Sequence, residues 1–343
     1  MKILLLQLKR IGDLILTTPA IAALREKFPR SAVTLIVSQH DAPLLPAITG
    51  IDRTFVIQRK LSDVKIFHRV AREKFDYCID FTRNDRSASL TFLSGARKRI
   101  VSSQIKIKSS KLRLHAYNEF VEYREHLHTV DFHLSLLEPL GIRDASPVIQ
   151  LEVPHDAHRT ADALLRRAGI DKPFIIFHPG AARPERFWGT QRWADIIEHA
   201  QSKCQIIPVL AGGSWPLERA HLAEIKSKLR HPFVDLSGKI DLLTLTALIA
   251  RARLLVTLDS APMHLAAATG TPQVALFGPG NPFHWRPRES PAVILLGEST
   301  SPVTEFSPKQ RRLSMDLIST RSVIDAMESL LSAPAAPGQA RHV

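Results

Sequence analysis

The stretch Lys2-Ile-Leu-Leu-Leu-Gln-Leu-Lys-Arg-Ile-Gly-Asp-Leu14 decides the fold. In it an apolar run is followed by a short polar turn, and the turn is followed by the start of a helix-length segment. Residues 2–8 are predicted to form a buried strand, and residues 13–28 a helix that ends before Pro29. A second apolar run, residues 32–38, follows directly. Strand, helix and strand in this order predict a βαβ unit with parallel strands.

The same alternation continues along the chain and then starts afresh in the second half. Further strands are predicted at residues 53–58, 77–81, 98–103, 174–178, 205–211, 233–236, 254–258 and 273–277. Further helices are predicted at residues 62–75, 127–140, 157–169, 191–202, 217–229, 242–252, 262–269 and 319–331, while residues 104–123 look basic and irregular. The predicted fold class is α/β, with two doubly wound parallel sheets.

The length of 343 residues agrees with two domains at roughly 150 residues each. We expect an N-terminal domain at residues 1–155, a C-terminal domain with a terminal helix at residues 156–332, and a flexible tail at residues 333–343. A linker is expected at residues 151–157. Ligands of open parallel sheets lie beyond the carboxyl ends of the strands, so we expect a central cleft lined by the loops that follow strands.

Positive charge is concentrated in the first half of the chain. The formal net charge is +13, and residues 1–150 hold 24 Lys and Arg against 15 Asp and Glu. Nine basic residues lie within residues 83–113: Arg83, Arg86, Arg97, Lys98, Arg99, Lys106, Lys108, Lys111 and Arg113. This pattern indicates an anionic partner, or else simply a solvated face. Nucleic acid is disfavoured, because no recognised binding module and few aromatic residues are present.

Several function classes find no support in the sequence. The first apolar run is too short for a signal peptide, and no run reaches the roughly 18 residues of a spanning helix. Cys78 and Cys204 cannot form a disulfide framework, so a reducing compartment and no structural metal are expected. The sequence has no Walker A motif and no GxSxG motif, and Phe283 stands where a GxGxxG fingerprint needs glycine.

The loops that follow predicted strands carry the candidate chemistry. Asp13 stands at the start of the first helix, where it either caps the helix or accepts a proton from a substrate. Ser260 is predicted to cap the helix that contains His264, and the N-terminus of that helix is suited to phosphate. His264 either contacts the phosphate or packs in the core. Arg183 and Arg186 supply charge suited to a diphosphate.

Other residues have two interpretations each. The pairs Gly212-Gly213 and Gly278-x-Gly280 either allow backbone to approach a ligand or form tight turns. Trp188 and Trp193 either pack in the core or line a pocket. A histidine cluster, His126, His128 and His133 with Asp131, has no helical ligand spacing and is expected at the surface without a metal.

Residues 2–19, the run Leu258-Asp-Ser-Ala-Pro-Met-His-Leu-Ala-Ala-Ala268 and the run Val274-Ala-Leu-Phe-Gly278 together resemble glycosyltransferase family 9, the lipopolysaccharide core heptosyltransferases. The resemblance covers residues 1 to about 330. Asp-Ser-Ala-Pro-x-His and the segment Phe-His-Trp-Arg-Pro287 are most similar to the heptosyltransferase III-like branch. The resemblance implies a GT-B fold with two Rossmann-like domains, the acceptor on the first and the nucleotide sugar on the second.

The resemblance also implies roles for individual residues. Asp13 matches the general base. Arg186 stands where many members have a lysine that contacts the diphosphate, and Asp259 matches the residue that contacts the donor sugar. The full set implied for the donor is His178, Gly180, Ala181, Arg183, Arg186, Gly212, Gly213, Gly238, Lys239, Asp259, Ser260, Ala261, His264 and Gly278. The set expected to contact the acceptor is Lys9, Arg10, Gly12, Arg97, Arg99, Lys106 and Lys111.

The function implied by the resemblance is an inverting transfer of heptose from ADP-L-glycero-D-manno-heptose to the inner core of lipopolysaccharide. No metal and no cofactor is expected. The anionic acceptor would place the enzyme in the cytoplasm, in peripheral contact with the cytoplasmic face of the inner membrane. The alternative is a GT-B enzyme that uses another nucleotide sugar for a different cell-surface polysaccharide. Arg186 in place of lysine and Ser260-Ala261 in place of Thr-Gly depart from the better-known pattern.

Overall fold

Two parallel six-stranded sheets organise the chain. The computed structural model describes residues 1–58, 60–108, 110–297 and 301–333, so nearly all of the predicted tail at residues 333–343 lies outside the described residues. The chain divides into one unit over Met1–Glu152 and a second unit that begins at Val153. The predicted α/β class with two doubly wound parallel sheets is confirmed.

The first unit has the strand order β3-β2-β1-β4-β5-β6, and every described pairing between neighbours is parallel. Its strands are β1 (Lys2–Gln7), β2 (Ala32–Ser38), β3 (Arg53–Ile57), β4 (Tyr77–Asp80), β5 (Lys98–Ser102) and β6 (Glu119–Val121). Its helices are α1 (Ile11–Ile15), α2 (Thr18–Lys27), α3 (Val64–Glu73), α4 (Asp85–Leu93), α5 (Ile105–Lys108), α6 (Lys111–Leu114) and α7 (Thr129–Ser135). Short 3-10 helices occupy Ala42–Ala47, Leu61–Asp63 and Glu138–Leu140.

The second unit has the order β12-β11-β10-β7-β8-β9, again with parallel neighbours. Its strands are β7 (Phe174–His178), β8 (Ile207–Leu210), β9 (Val234–Asp235), β10 (Leu254–Leu258), β11 (Gln273–Phe277) and β12 (Ala292–Leu296). Its helices are α8 (His155–Arg167), α9 (Thr190–Ser202), α10 (Pro216–Lys228), α11 (Leu242–Ile249), α12 (Ala261–Thr269), α13 (Pro282–Trp285) and α14 (Thr320–Ser332). Short 3-10 helices occupy Pro184–Arg186 and Met315–Leu317.

The central strands explain why the sheets were readable from the sequence. All five residues of β7, β10 and β11 are buried, because helices cover both faces of a parallel sheet. Trp188 and Trp193 are fully buried in the core of the second unit, with ring centroids 5.4 Å apart. The Trp188 Nε1–H donates to the Ile318 carbonyl at 3.0 Å. The pocket-lining interpretation of these tryptophans is therefore wrong.

Several predicted segments are divided differently in the structure. The predicted helix over residues 13–28 is two helices, because Pro19 lacks an N–H and instead occupies the first turn of the new helix α2. The predicted helix over residues 127–140 is α7 followed by a 3-10 turn that contains Pro139. Residues 104–123 are not irregular but form α5, α6 and β6. The linker is shorter than predicted, since α8 begins at His155.

Candidate active site

In the first unit the carboxyl end of β1 presents Asp13. The residue is the third of α1, whose N-cap position is taken by Arg10, so the capping interpretation of Asp13 is wrong. The Asp13 side chain is buried, and its Oδ1 lies 3.4 Å from the Lys9 Nζ. Burial lowers the pKa of Lys9, and the nearby Asp13 carboxylate partly opposes that shift. The short turn that carries Gly12 thus places an ammonium beside a carboxylate at a strand end.

Buried hydrogen bonds hold the backbone of Asp13 in place. The Thr17 hydroxyl donates to the Asp13 carbonyl at 2.7 Å and accepts from the Gln7 Nε2 at 2.8 Å. The His133 Nδ1 lies 3.2 Å from that same hydroxyl and 3.1 Å from the Leu16 carbonyl. The carboxylate therefore sits on a rigid turn, because its own helix is anchored to β1 and to α7.

The sequence predicted the histidine cluster at the surface, and this prediction is wrong for two of its three histidines. His133 is fully buried, and His128 is 4% exposed and accepts from the Val130 N–H at the start of α7. His126 is exposed. Burial, with smaller contributions from Lys9 and other groups, lowers the pKa of His133 to about 3. The His133 ring is thus neutral at pH 7.

Acid should weaken the fold through His133. Its pKa is about 3 in the folded chain and near 6.5 when unfolded, so unfolding takes up a proton between these values. The stabilisation from the neutral ring is complete above pH 6.5 and falls by roughly 2 kcal/mol at pH 5. Urea midpoints at pH 7.5 and pH 5.0 should show a smaller pH dependence for His133→Gln than for wild type. His126→Gln is the exposed control; equal pH dependence in all three proteins would contradict the assignment.

The basic residues of the first unit do not form one patch. Lys106 follows β5, and its Nζ lies 4.1 Å from the centroid of the Phe120 ring. Lys111 is exposed in α6. Arg97 and Arg99, by contrast, lie at the amino end of β5, at the edge of the sheet opposite to Asp13. The structure therefore does not bring Arg97 and Arg99 to Asp13.

Other members of the basic set interact within the chain. The Arg99 side chain donates to the carbonyls of Ala116 at 2.8 Å and Ala96 at 3.1 Å. The Arg83 guanidinium lies 4.7 Å from the centroid of the Phe132 ring. Arg10 is exposed, so it is free to meet solvent at the turn before Asp13. Part of the positive charge thus serves packing rather than an anionic partner.

In the second unit an ion pair between Arg186 and the buried Asp259 follows β10. The Arg186 Nη1 lies 3.0 Å from the Asp259 Oδ2 and donates to the Asp259 carbonyl at 2.6 Å. Asp259 is 5% exposed and Arg186 is half-buried. A Cβ at Gly280 would lie 2.0 Å from the Asp259 Oδ2, so only glycine leaves room for this carboxylate. The sequence identified both charged residues but not their pairing.

The first turn of α12 lies directly beside this pair. Ser260 occupies the N-cap position, but within the described part of the chain its hydroxyl makes no capping bond and instead donates to the Leu258 carbonyl at 3.3 Å. The predicted cap is therefore wrong. Since Ser260 leaves the first-turn amides uncapped, the positive end of α12 is suited to an anion. Ala261 is the first residue of the helix.

His264 is a buried residue near the start of the same helix, α12. It is 3% exposed, and its Nδ1 has no hydrogen-bond partner among the described residues. Burial, assisted by the Arg186 charge, lowers the pKa of His264 to about 4. The imidazole is thus neutral at pH 7, and it offers a hydrogen bond rather than a charge.

Glu218 follows the Gly212-Gly213 loop, and no role in the site was predicted for it from the sequence. Its carboxylate, 9% exposed in the first turn of α10, accepts from the Gly213 N–H at 2.6 Å. A Cβ at Gly180 would lie 1.7 Å from its Oε1, and one at Gly213 would lie 2.8 Å from its Oε2. These glycines make room for a side chain of the same chain. Their clustering after β7 and β8 was the signal for a buried acid nearby.

Two more of the predicted donor residues lie at strand ends. His178 is buried at the end of β7, where burial lowers its pKa and Glu218 partly opposes the shift. A Cβ at Gly278 would lie 2.5 Å from the Met315 sulfur, so packing alone accounts for that glycine.

The remaining predicted donor residues differ in exposure and contacts. Ala181 is buried, whereas Arg183 is exposed and its Nη1 lies 3.6 Å from the Glu185 Oε1. The Gly238 N–H donates to the Gly212 carbonyl at 2.8 Å, and the Lys239 Nζ lies 3.2 Å from the Asp235 Oδ2.

Two doubly wound parallel-sheet units are the architecture of the GT-B fold, and solved structures match this class. A crystal structure of a family 9 glycosyl transferase from Veillonella parvula matches with a TM-score of 0.82 at 26% identity, covering 96% of this chain and 97% of that chain. The structure of Escherichia coli ADP-heptose lps heptosyltransferase II matches with a TM-score of 0.77 at 21% identity, covering 96% of this chain and 98% of that chain.

Within that class the family is also shown. Residues 64–313 match the model of glycosyltransferase family 9 (heptosyltransferase), and the chain belongs to this family. The chain is 26% identical over 330 residues to lipopolysaccharide heptosyltransferase 3 of Escherichia coli, a match that covers 93% of this chain and 96% of the relative. The family resemblance and the enzyme class predicted from the sequence are confirmed.

Proposed function

We propose that this enzyme transfers heptose from ADP-L-glycero-D-manno-heptose to the inner core of lipopolysaccharide, with inversion and without a metal ion. The observation that carries the proposal is the Arg186–Asp259 ion pair beside the uncapped start of α12. A fixed cation and a helix N-terminus are the elements that stabilise a departing diphosphate when no metal does so. The name of the Escherichia coli relative, lipopolysaccharide heptosyltransferase 3, supports the sugar and the acceptor class.

On the donor side, Arg186 and the amides of Ser260 and Ala261 would hold the diphosphate. His264, neutral because of its burial, would add a hydrogen bond. Asp259 would accept hydrogen bonds from hydroxyl groups of the heptose. The Glu218 carboxylate, in the first turn of α10, is bonded to Gly213 in the loop that follows β8. An acid near a strand end is the usual partner of ribose hydroxyls in doubly wound nucleotide sites.

On the acceptor side, Asp13 would act as the general base. The acceptor hydroxyl gives its proton to the Asp13 carboxylate while its oxygen bonds to the anomeric carbon of heptose. The bond from that carbon to the diphosphate oxygen breaks, and ADP leaves with its electron pair. A single displacement of this kind inverts the anomeric configuration. Lys9, 3.4 Å from Asp13, would keep the carboxylate oriented towards the reaction.

The first unit also presents surface suited to an anionic membrane. Leu61 is 91% exposed and Val64 is 64% exposed, next to the exposed Lys60 and Lys65. These residues follow β3 and so lie at the same edge of the sheet as Asp13. Apolar side chains among lysines favour an anionic bilayer surface. This surface supports the proposal of peripheral contact with an anionic bilayer, such as the cytoplasmic face of the inner membrane; failure to sediment with phosphatidylglycerol vesicles would contradict that contact.

No helix among residues 1–58, 60–108, 110–297 and 301–333 is long and apolar enough to cross a bilayer.

A screen of nucleotides tests the donor assignment. ADP and ADP-heptose at about 100 times Kd should each stabilise the protein by roughly 2.7 kcal/mol, which raises Tm by several degrees. UDP, GDP and CMP should give smaller shifts at equal concentration. Glu218→Gln should weaken ADP binding, whereas Glu224→Gln, an exposed change on the same helix α10, should not. A preference for UDP or CMP would favour the alternative, another nucleotide sugar for a different polysaccharide.

A further inference from the structure

Three potential metal ligands of different chemistry meet on the second unit, away from the candidate donor site. They are His199 in the last turn of α9, Cys204 just beyond that helix, and Glu328 in α14. One ligand atom from each side chain lies within 4.8 Å of the other two. The His199 Nε2 is 2.8 Å from the Glu328 Oε1. Three ligand types are therefore already gathered from two helices and a turn.

The backbone holds two of these ligands close together. The N–H groups of Lys203 and Cys204 both donate to the His199 carbonyl, at 2.9 and 3.3 Å. Gln205, the next residue, adopts a left-handed conformation with φ of 54°. The turn therefore folds the Cys204 thiol back beside the imidazole, so that little additional ordering is needed to bring in an ion.

The surroundings leave the ligands accessible. His199 and Cys204 are half-buried and Glu328 is exposed, so an ion can enter from solvent. The Cys204 thiol is not part of a disulfide. The C-terminal end of α9 lies at the amino edge of the sheet, because α9 runs back between the parallel strands β7 and β8. The start of α12 lies at the opposite, carboxyl edge.

We propose that His199, Cys204 and Glu328 form a zinc-binding site that joins α9 to α14. Imidazole nitrogen, thiolate sulfur and carboxylate oxygen are the donors that Zn²⁺ accepts, at about 2.0–2.3 Å, so ligand atoms around one ion lie roughly 3.5 Å apart. The ligand atoms need to move only modestly to reach this arrangement, and the His199–Glu328 hydrogen bond opens to admit the ion. Water completes the tetrahedron.

The site is independent of heptose transfer. Thiolate and carboxylate together balance the charge of one divalent cation, with neutral imidazole as the third ligand. Binding would fasten α14, the last described helix, to the body of the second unit. The expected consequence is a more stable protein and an unchanged reaction, so loss of the site and loss of the proposed activity are distinguishable.

Cobalt is the probe, because Co²⁺ occupies zinc sites and reports its ligands by absorption. Titration of the full chain with Co²⁺ alone should saturate at one ion per chain, with a thiolate-to-cobalt band in the near ultraviolet, and Zn²⁺ should displace it. Cys204→Ser should abolish that band. Glu328→Gln should weaken Co²⁺ binding by more than the roughly 10-fold that follows removal of a residue that only hydrogen-bonds a metal ligand.

Two controls match the test variants. His231→Ala removes a second His–Glu contact of the same unit, His231 with Glu198, that has no role in the proposed site, and it should leave cobalt binding unchanged. Cys78→Ala removes the buried thiol of the first unit and should keep the band. The proposal is overturned if no thiolate band appears, or if the band survives Cys204→Ser. Full binding by both His199→Ala and Glu328→Gln would overturn it equally.

Discussion

Asp13→Asn is expected to lower kcat for heptose transfer by about 10²- to 10⁴-fold, the range that a positioned general base contributes. The amide keeps the shape of the carboxylate but cannot take the proton from the acceptor hydroxyl. Asp13 lies in the first unit, whereas the proposed donor residues lie in the second. Affinity for ADP should therefore be unchanged. The measurement is ADP release under saturating donor and acceptor, together with calorimetric titration of ADP.

Asp52→Asn is the matched control for that variant. It removes a carboxylate of the same unit that pairs with Arg25 at 2.7 Å, and Asp52 has no role in the proposed chemistry. Its kcat should equal that of the wild-type protein. Asp13→Asn with turnover within a few-fold of wild type, while ADP still binds, would show that Asp13 is not the base.

Arg186→Ala is expected to lower kcat/KM for the donor by roughly 10²- to 10³-fold, the usual cost of removing one preorganised electrostatic contact. The charge that meets the leaving diphosphate is lost. Asp259, 5% exposed, loses its cation as well. Breaking a buried ion pair by removing one partner costs about 3–5 kcal/mol, and the partial exposure of Arg186 puts the expected loss of stability below that range. Arg186→Lys should recover part of the activity, since it keeps the charge but not the planar fork.

A double variant separates stability from activity at this pair. Asp259→Asn combined with Arg186→Ala should recover stability, because no buried charge is left alone, but it should not recover turnover. Arg251→Ala is the matched control. It breaks the Arg251–Asp162 pair of the same unit at 2.8 Å and should cost stability without a change in kcat/KM. Wild-type donor kinetics in Arg186→Ala would contradict the diphosphate assignment.

Much of the fold could be predicted from the sequence because parallel strands are buried on both faces. β2, β7, β10 and β11 have the predicted bounds, since each is a mostly apolar run between polar turns. The outermost strands β6 and β12 were not predicted. β6 has only three residues, and the first residues of both strands are only half-buried. α4 was also not predicted, although Asn84 caps it.

Only part of the candidate site could be predicted from the sequence. Asp13, Arg186 and Asp259 follow predicted strands, so their loops were identified from spacing alone. Their partners could not be, because the Arg186–Asp259 contact joins residues 73 positions apart. The start of β5 at residue 98 was predicted, so the location of Arg97 and Arg99 at its amino end, away from Asp13, could have been inferred from the sequence.

Some glycines were interpreted as leaving room for a ligand, although side chains of the protein itself fill that room. Gly180 and Gly280 make room for the carboxylates of Glu218 and Asp259, which a one-dimensional pattern cannot distinguish from room for a substrate. His133 was expected at the surface because the histidine cluster has no helical ligand spacing, yet α7 turns this residue into the core. Tertiary packing decides both cases.

The transfer reaction itself tests the central claim most directly. The protein is incubated with ADP-L-glycero-D-manno-heptose, EDTA and an inner-core lipopolysaccharide acceptor in phosphatidylglycerol vesicles, and the acceptor is examined by mass spectrometry and anomeric NMR. We predict one heptose added for each ADP released, with the anomeric configuration opposite to that of the donor. No transfer from ADP-heptose by protein that consumes another nucleotide sugar, a retained configuration, or loss of activity in EDTA would contradict the account.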